Sequence, residues 1–460
     1  MATGQVRCLV TGATGYIGSR LVPKLLNEGH RVRALARDPS KLADVPWRER
    51  AEVVRGDLGD VDSLEAAFEG VDVVYYLVHS MGTSKDFVND EIHAARNVVT
   101  AAQRAGVRRV VYLSGLHPEG RKLSPHLESR TAVGDVLIES GIETVVLQAG
   151  VVVGSGSASF EMIRHLTDRL PVMTTPKWVH NRIQPIAVED VLYYLAAAAT
   201  AAIPSSRTWD IGGPDVLEYG DMIRIYAEEA QLGKRYLIAL PFLTPTIASL
   251  WIGTVTPIPP GLARPLIASL ECDAVMRDFQ IDTIIEPPPS GLTGYRDSVA
   301  LALNRTQQGL PDATWDSLSR TAEALPSDPD WAGEIVYTDV RTATTSTAPD
   351  EVWKAAEDAA SGSRWYPFTL TPGRGSAVQR WSVTEREPGT KLRLRAEARA
   401  PGQAWLEITV EPHDGGGSKY TQRAIFFPHG IPGRLYWTVL RPLHTAALRR
   451  LARAIVGASR

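Results

Sequence analysis

Cysteine is almost missing from this chain: Cys8 and Cys272 are the only two in 460 residues. Neither has partners at metal-binding spacing, and two cysteines suggest no disulfide framework, so a reducing compartment is expected. An excess of either charge is missing too. The 49 Lys and Arg against 52 Asp and Glu leave a formal net charge of -3, which offers no basic field, and no nucleic-acid partner is expected. The start of the chain lacks a charged leader with an apolar signal core, so a cytoplasmic location is the expectation. His79, His117 and His126 are dispersed along the sequence without companion carboxylates, and no metal is expected.

Uncharged runs of about 20 residues or more, the length of a bilayer crossing, are also absent, with one exception. Tyr236 to Ala263 carries no charge, a length that could cross a bilayer. Prolines 241, 245, 257, 259 and 260 interrupt it, and the stretch between them, Thr246 to Thr256, is too short to span. A buried or lipid-facing segment is expected, with peripheral membrane contact possible and a crossing helix as the alternative.

What the sequence does contain is an alternation of short apolar runs with helical patterns, the mark of a parallel sheet wrapped by crossover helices. "VRCLVTG", "HRVRALA", "AEVVRGD", "VDVVYYLVHS", "RRVVYLSG" and "ETVVLQAG" read as strands. "SRLVPKLLNEG" and "NDEIHAARNVVTAAQRAG" read as helices closed by Gly29 and Gly106, and Ser124 with Pro125 opens another. The fold class is α/β, a doubly wound parallel Rossmann sheet with a substrate lobe over residues 1–305. A polar, proline-bearing linker with a short helix follows over 306–332. Residues 333–460 change class to alternating strands and a long final helix. There Leu435, Val439, Leu443, Leu448, Leu451 and Ile455 are expected on the buried face, with Arg441, Arg449, Arg450 and Arg453 off it and a kink at Pro442.

"TGATGYIG", residues 11–18, follows the first strand and opens a helix. Gly12, Gly15 and Gly18 let the backbone turn tightly and approach a pyrophosphate at the helix N-terminus, with Thr14, Tyr16 and Ile17 beside it. A dinucleotide cofactor follows. An NAD site usually ends strand two with a carboxylate for the ribose hydroxyls; here Ala36 holds that position and Arg37 follows, which suits a 2'-phosphate. Asp38 next door weakens the case, and Arg33 reads as an ordinary strand residue. NADP is favoured, with NAD possible. Asp57 and Leu58 are placed for the adenine edge, and Val78, His79 and Ser80 for the phosphate and ribose side.

"TGATGYIG", "ARDPSK", "GDL", "YLVHS", "YLSG", "QPIAVEDV" and "WDIGGPDVLEYGDMI" occur in order, and over residues 5–303 the chain resembles the atypical and extended short-chain dehydrogenases/reductases, near their NmrA-like and quinone-reductase-like members. The C-terminal part resembles a helix-grip domain of the START or polyketide-cyclase kind, whose cavity Trp365, Tyr366, Phe368, Trp381, Trp405, Tyr436 and Trp437 would line or pack around. The superfamily resemblance implies a Tyr-x-x-x-Lys pair on one helix face, and here those positions read His126 and Arg130. Histidine titrates near neutrality and can handle a proton, while Arg130 favours the neutral imidazole and can still bond a ribose. Ser114 corresponds to the family's active-site serine, and His117 is a spare acid. The implied function is an NADP-dependent oxidoreductase acting on an apolar carbonyl or quinone-like compound. The alternative is a non-catalytic dinucleotide-binding sensor or lipid-binding adaptor. The oligomeric state is left open.

Overall fold

The computed structural model describes residues 5–79, 87–239, 256, 258–307, 337–361, 381–396, 401–413, 416–428 and 430–458. The chain divides into two compact units, one of Met1–Thr167 with Pro171–Gly333, the other of Glu334–Arg460 with Asp168–Leu170. The 306–332 linker and its short helix fall mostly outside the described residues; the helix that precedes it runs over Tyr295–Gln307.

The first unit is built on seven parallel strands: β1 (Arg7–Val10), β2 (Arg31–Ala36), β3 (Glu52–Arg55), β4 (Val73–Tyr76), β5 (Arg109–Gly115), β6 (Glu143–Ala149) and β11 (Arg207–Ile211). Their order is β11-β6-β5-β4-β1-β2-β3, so the direction of winding reverses between β1 and β4. Residues alternate strictly between the two faces. Cys8, Val10, Val73, Tyr75, Val111, Leu113, Val145 and Leu147 enter one core with α1 (Tyr16–Asn27) and α6 (Val188–Ala197). Leu9, Val74, Tyr76, Val110, Tyr112 and Val146 enter the other, with α3 (Phe87–Ala105) and α4 (Pro125–Ile138). Burial on both faces is why these strands read as continuous apolar runs. Burial also pushes the Cys8 thiol up to about 12, which makes it an inert core residue.

The motifs that return the chain to the sheet act as fasteners. Asp190 accepts from Thr293 N at 2.8 Å, Gln184 donates to Gly213 O at 2.7 Å, and Asp210 accepts from Arg277 N at 2.9 Å. They tie the substrate lobe to the strand ends. Of the uncharged run, Leu240 to Val255 lies outside the described residues. Beyond it, Ala263 and Ile267 on the helix Pro260–Ser269 pack with Met162 and Ile258 in a small core. No helix among the described residues is long and apolar enough to cross a membrane.

Among the described residues, the second unit forms a five-stranded antiparallel sheet in the order β14-β18-β17-β16-β15, with helices Pro349–Ser361 and Gly430–Ala458. Its strands are β14 (Tyr337–Thr345), β15 (Trp381–Glu387), β16 (Lys391–Ala396), β17 (Gly402–Pro412) and β18 (Ser418–Pro428). Trp405 and Trp437 both pack as core. Trp437 is buried between stacked rings, 5.4 Å from Phe426 and 5.3 Å from Tyr337, whereas Trp405 projects from the opposite side to its neighbour Leu406 and packs edge-on against Phe427. The two tryptophans do not line one cavity, because a strand sends consecutive side chains to opposite faces. Trp365, Tyr366 and Phe368 lie outside the described residues. The expectation for the final helix is corrected, since it divides differently from its sequence pattern. Leu448, Leu451 and Ile455 are buried, but Leu435, Val439 and Leu443 stand in solvent.

Candidate active site

The loop between β1 and α1 is shaped by its glycines. Thr11 Oγ1 donates to Tyr75 O at 2.9 Å and accepts from Leu77 N at 3.1 Å, pinning the end of β1 to the end of β4. Gly12 then adopts φ +68, and a Cβ there would lie 2.8 Å from Leu77 O. A Cβ on Gly18 would lie 2.2 Å from Gly12 O, so only glycine lets the helix pack on the loop. Gly15 is the N-cap of α1 and has no side chain to satisfy the first-turn N–H groups. Gly12, Thr14, Gly15, Tyr16, Ile17 and Gly18 line a cavity of about 880 Å³. Exposed donors at a positive helix end, on a backbone without side chains, suit a pyrophosphate.

At one end of the cavity lie Ala36, Arg37, Asp57 and Leu58. Arg37 is exposed, and among the described residues it has neither a hydrogen bond nor an ion pair. Asp38 is committed elsewhere: its carboxylate accepts from Ser40 N at 3.1 Å and Ser40 Oγ at 2.6 Å, capping the short helix Pro39–Leu42. Those two bonds hold its carboxyl below the usual range. Arg33 is structural. It pairs with Glu52 at 2.8 Å and donates to Ala67 O at 2.7 Å.

Midway along the cavity the ends of β4 and β5 meet α4. Ser124 caps α4 by accepting from Leu127 N at 3.3 Å, which sets His126 and Arg130 one turn apart on the helix face turned to the cavity. Arg130 donates to Leu113 O at 2.7 Å and to His79 Nε2 at 2.5 Å. Since a guanidinium has only donors, His79 Nε2 accepts and the ring proton sits on Nδ1, facing Glu91 Oε1 at 3.8 Å. Glu91 is buried and also accepts from Ser129 Oγ. Ser114 Oγ is buried and makes no well-formed hydrogen bond. The Tyr112 hydroxyl beside it donates to Arg130 O at 3.2 Å, and burial raises it to about 12.

The expectation that His126 titrates near neutrality is corrected. Burial first, then the charge of Arg130, lowers it to about 3. The same two causes lower His79 to about 4, against an opposing pull from Glu91. Both imidazoles are neutral at pH 7. His117, the spare acid, is bonded to Thr131 Oγ1 at 3.2 Å and Gln148 Nε2 at 3.1 Å and is not among the cavity residues. Val78 and His79 line the cavity, while Ser80 lies outside the described residues.

The substrate-lobe part of the lining is mainly apolar, with Met162, Ile163, Leu166, Trp178, Ile223 and Leu266, and also carries the hydroxyl side chains Ser157, Ser159, Tyr219 and Ser269. The residue that sequence reasoning missed is Glu91. Its signal was present: Glu91, Ala95, Val98 and Ala102 share helical spacing, and the last three are fully buried, so a carboxylate occupied the apolar stripe of α3. Among the described residues no cluster of histidine, cysteine or carboxylates is arranged to hold a metal ion.

Comparison with known proteins agrees with this geometry. Residues 12–163 match the NAD(P)H-binding family model. The first unit therefore carries an NAD(P)-binding Rossmann domain. Residues 370–451 match a family described only as a protein of unknown function. A 3 beta-hydroxysteroid dehydrogenase/Delta 5-->4-isomerase from Mycobacterium tuberculosis is 38% identical over 126 residues, 25% of this chain and 33% of that protein. Cinnamoyl-CoA reductase 1 from Oryza sativa is 40% identical over 116 residues, 24% of this chain and 34% of that protein. Sterol demethylase protein B from Methylococcus capsulatus is 33% identical over 169 residues, 32% and 51% respectively. The chain thus spans about a third to a half of these relatives. In fold, the NAD(P)-binding unit resembles the Citrobacter sp. triphenylmethane reductase complexed with NADP(H), with TM-score 0.51 and 19% identity over 64% of this chain and 99% of that one.

Proposed function

We propose that the NAD(P)-binding unit is an NADP-dependent oxidoreductase for an apolar carbonyl or quinone-like substrate. The observation that carries this reading is the continuity of one cavity from the glycine loop, past Ser114 and His126, to a mainly apolar chamber. The cofactor, when bound, supplies or accepts the hydride. The chain's own residues do the rest. The glycine loop and the first turn of α1 hold the pyrophosphate, Arg37 takes a 2'-phosphate with no competing partner, and Asp57 with Leu58 borders the adenine. Arg130, fixed by Leu113 O and His79, hydrogen-bonds the nicotinamide ribose.

Ser114 brings an uncommitted hydroxyl to a substrate oxygen. His126 meets the same oxygen as a neutral ring, whose N–H donates a hydrogen bond that strengthens as negative charge develops there. Its low pKa makes it a poor source of a full proton, so the proton that completes reduction comes through it from water rather than from a standing imidazolium. The mainly apolar walls favour a greasy substrate over a sugar nucleotide. The alternating sheet and final helix of the second unit support a helix-grip assignment for it, by topology alone.

Calorimetry with NADPH and NADH, followed by a screen for cofactor oxidation by hydrophobic aldehydes, ketones and quinones, tests the proposal. NADPH should bind more tightly, and at least one apolar carbonyl should be consumed. Tight binding with no turnover across the screen would instead favour a dinucleotide sensor.

A further inference from the structure

The final helix, Gly430–Ala458, contains five arginines and no acidic residue. Its inner side is accounted for by Trp437, His444, Leu448, Leu451 and Ile455, all buried in the core of the second unit. Its outer side is not polar, as a helix covering a sheet would normally be. Leu435, Val439 and Leu443, at successive four-residue steps, are 63%, 62% and 52% exposed. At 3.6 residues per turn, Arg453 lies five turns beyond Leu435 and directly in line with it, and Arg449 and Arg450 flank that line. All three arginines are exposed. Among the described residues none of them has a hydrogen bond or an ion pair. One solvent face therefore carries three large apolar side chains in its first half and three unpaired cations in its second.

We propose that this face docks on an anionic lipid surface. Charge complementarity selects the occupant. A stripe of arginines without a carboxylate attracts a negatively charged plane and would repel a second copy of itself in parallel register. The three apolar side chains can insert shallowly among acyl chains while long arginine stems reach headgroup phosphates. The helix lies in the interface and does not cross it. The assignment differs from the uncharged run at Tyr236 to Ala263, and it does not rest on the oxidoreductase reading.

The test uses the full chain, co-sedimented with vesicles of phosphatidylcholine alone and of phosphatidylcholine with phosphatidylglycerol. Binding should require phosphatidylglycerol and weaken as salt is raised. Replacing Arg449, Arg450 and Arg453 together by serine should lower partitioning on the order of 10²-fold, from about fivefold per arginine near a charged surface. A separate variant, Leu435→Ser with Val439→Ser and Leu443→Ser, should also lose binding. Both should keep the parent's circular dichroism and cofactor affinity, since every substituted side chain is exposed. The proposal is overturned by equal binding to both vesicle types, by no binding to either, or by an arginine variant that partitions like the parent. Self-association that only the serine-for-apolar variant abolishes, with vesicle binding absent, would assign the face to a second copy instead.

Discussion

Two neutral imidazoles lining one cavity, His126 buried and His79 half-buried, make the stability of the NAD(P)-binding unit depend on pH in a defined direction. His79 and His126 are lowered from 6.5 to about 4 and about 3, burial being the main cause and Arg130 the second. In the unfolded chain each takes up a proton near its ordinary value. A lowered folded pKa means that the unfolded state binds more protons as the pH falls, so stability is full above 6.5 and declines below it. Between pH 7.5 and pH 5 the linkage amounts to about 2 kcal/mol for each histidine, and somewhat less than twice that for the pair because their titrations interact. The assay is urea unfolding of the full chain at the two pH values, following the transition that bound NADPH shifts. Carboxylates contribute their own slope, so the informative quantity is the difference between variants. His126→Asn and His79→Asn each remove one titrating ring, and each should flatten the pH dependence by about 2 kcal/mol, whatever its effect on stability at pH 7.5. Slopes identical to the parent in both variants would refute the burial argument and return His126 to a role as a neutral-pH acid.

Arg37→Ala should weaken NADPH binding by about 10- to 100-fold, the scale for losing a hydrogen bond to a charged group, and leave NADH nearly unchanged by calorimetry. Equal losses for both would show that Arg37 does not meet a 2'-phosphate. Ser114→Ala should cost little stability, because the buried hydroxyl it removes makes no well-formed hydrogen bond, yet slow turnover of an apolar carbonyl by roughly 10-fold or more; an unchanged rate removes Ser114 from the site. Gly18→Ala places a Cβ 2.2 Å from Gly12 O and should destabilise the unit by at least about 2 kcal/mol while abolishing cofactor binding in the same thermal-shift experiment.

The strands and the glycine cradle were legible because their signals are local. A buried parallel strand needs an unbroken apolar run, and a loop that meets a helix head-on needs glycine wherever a Cβ would strike backbone. The ribose end was half legible. Arg37 could be read from position, but the neighbouring Asp38 was neutralised as an objection only when its carboxylate was found capping Ser40. The candidate reacting centre was least legible. Nothing near His126 in the chain reveals that His79, from the segment after β4, and Glu91, from another helix, share its surroundings. Its acidity is set by that company and by burial. In the final helix, a stripe written in sequence was assumed to face inward, and only the direction of Trp437 and Leu448 decided which half did.

The pairing of β14 with β18 has a consequence for the order in which the protein can form. Tyr337 lies opposite Phe426, so the first strand of the second unit has its neighbour only after β15, β16 and β17 have been made. The NAD(P)-binding unit can begin closing as soon as β1, β2 and β3 exist, since these are neighbours in its sheet. During synthesis, then, the first unit has a head start, while β14 waits beside the ribosome with an open edge and nothing to pair with. Non-local closure of this kind is slow, and the final helix that seals the core arrives last. Interruptions to translation beyond residue 345 should therefore yield a protein that binds dinucleotide and aggregates through an unpaired strand.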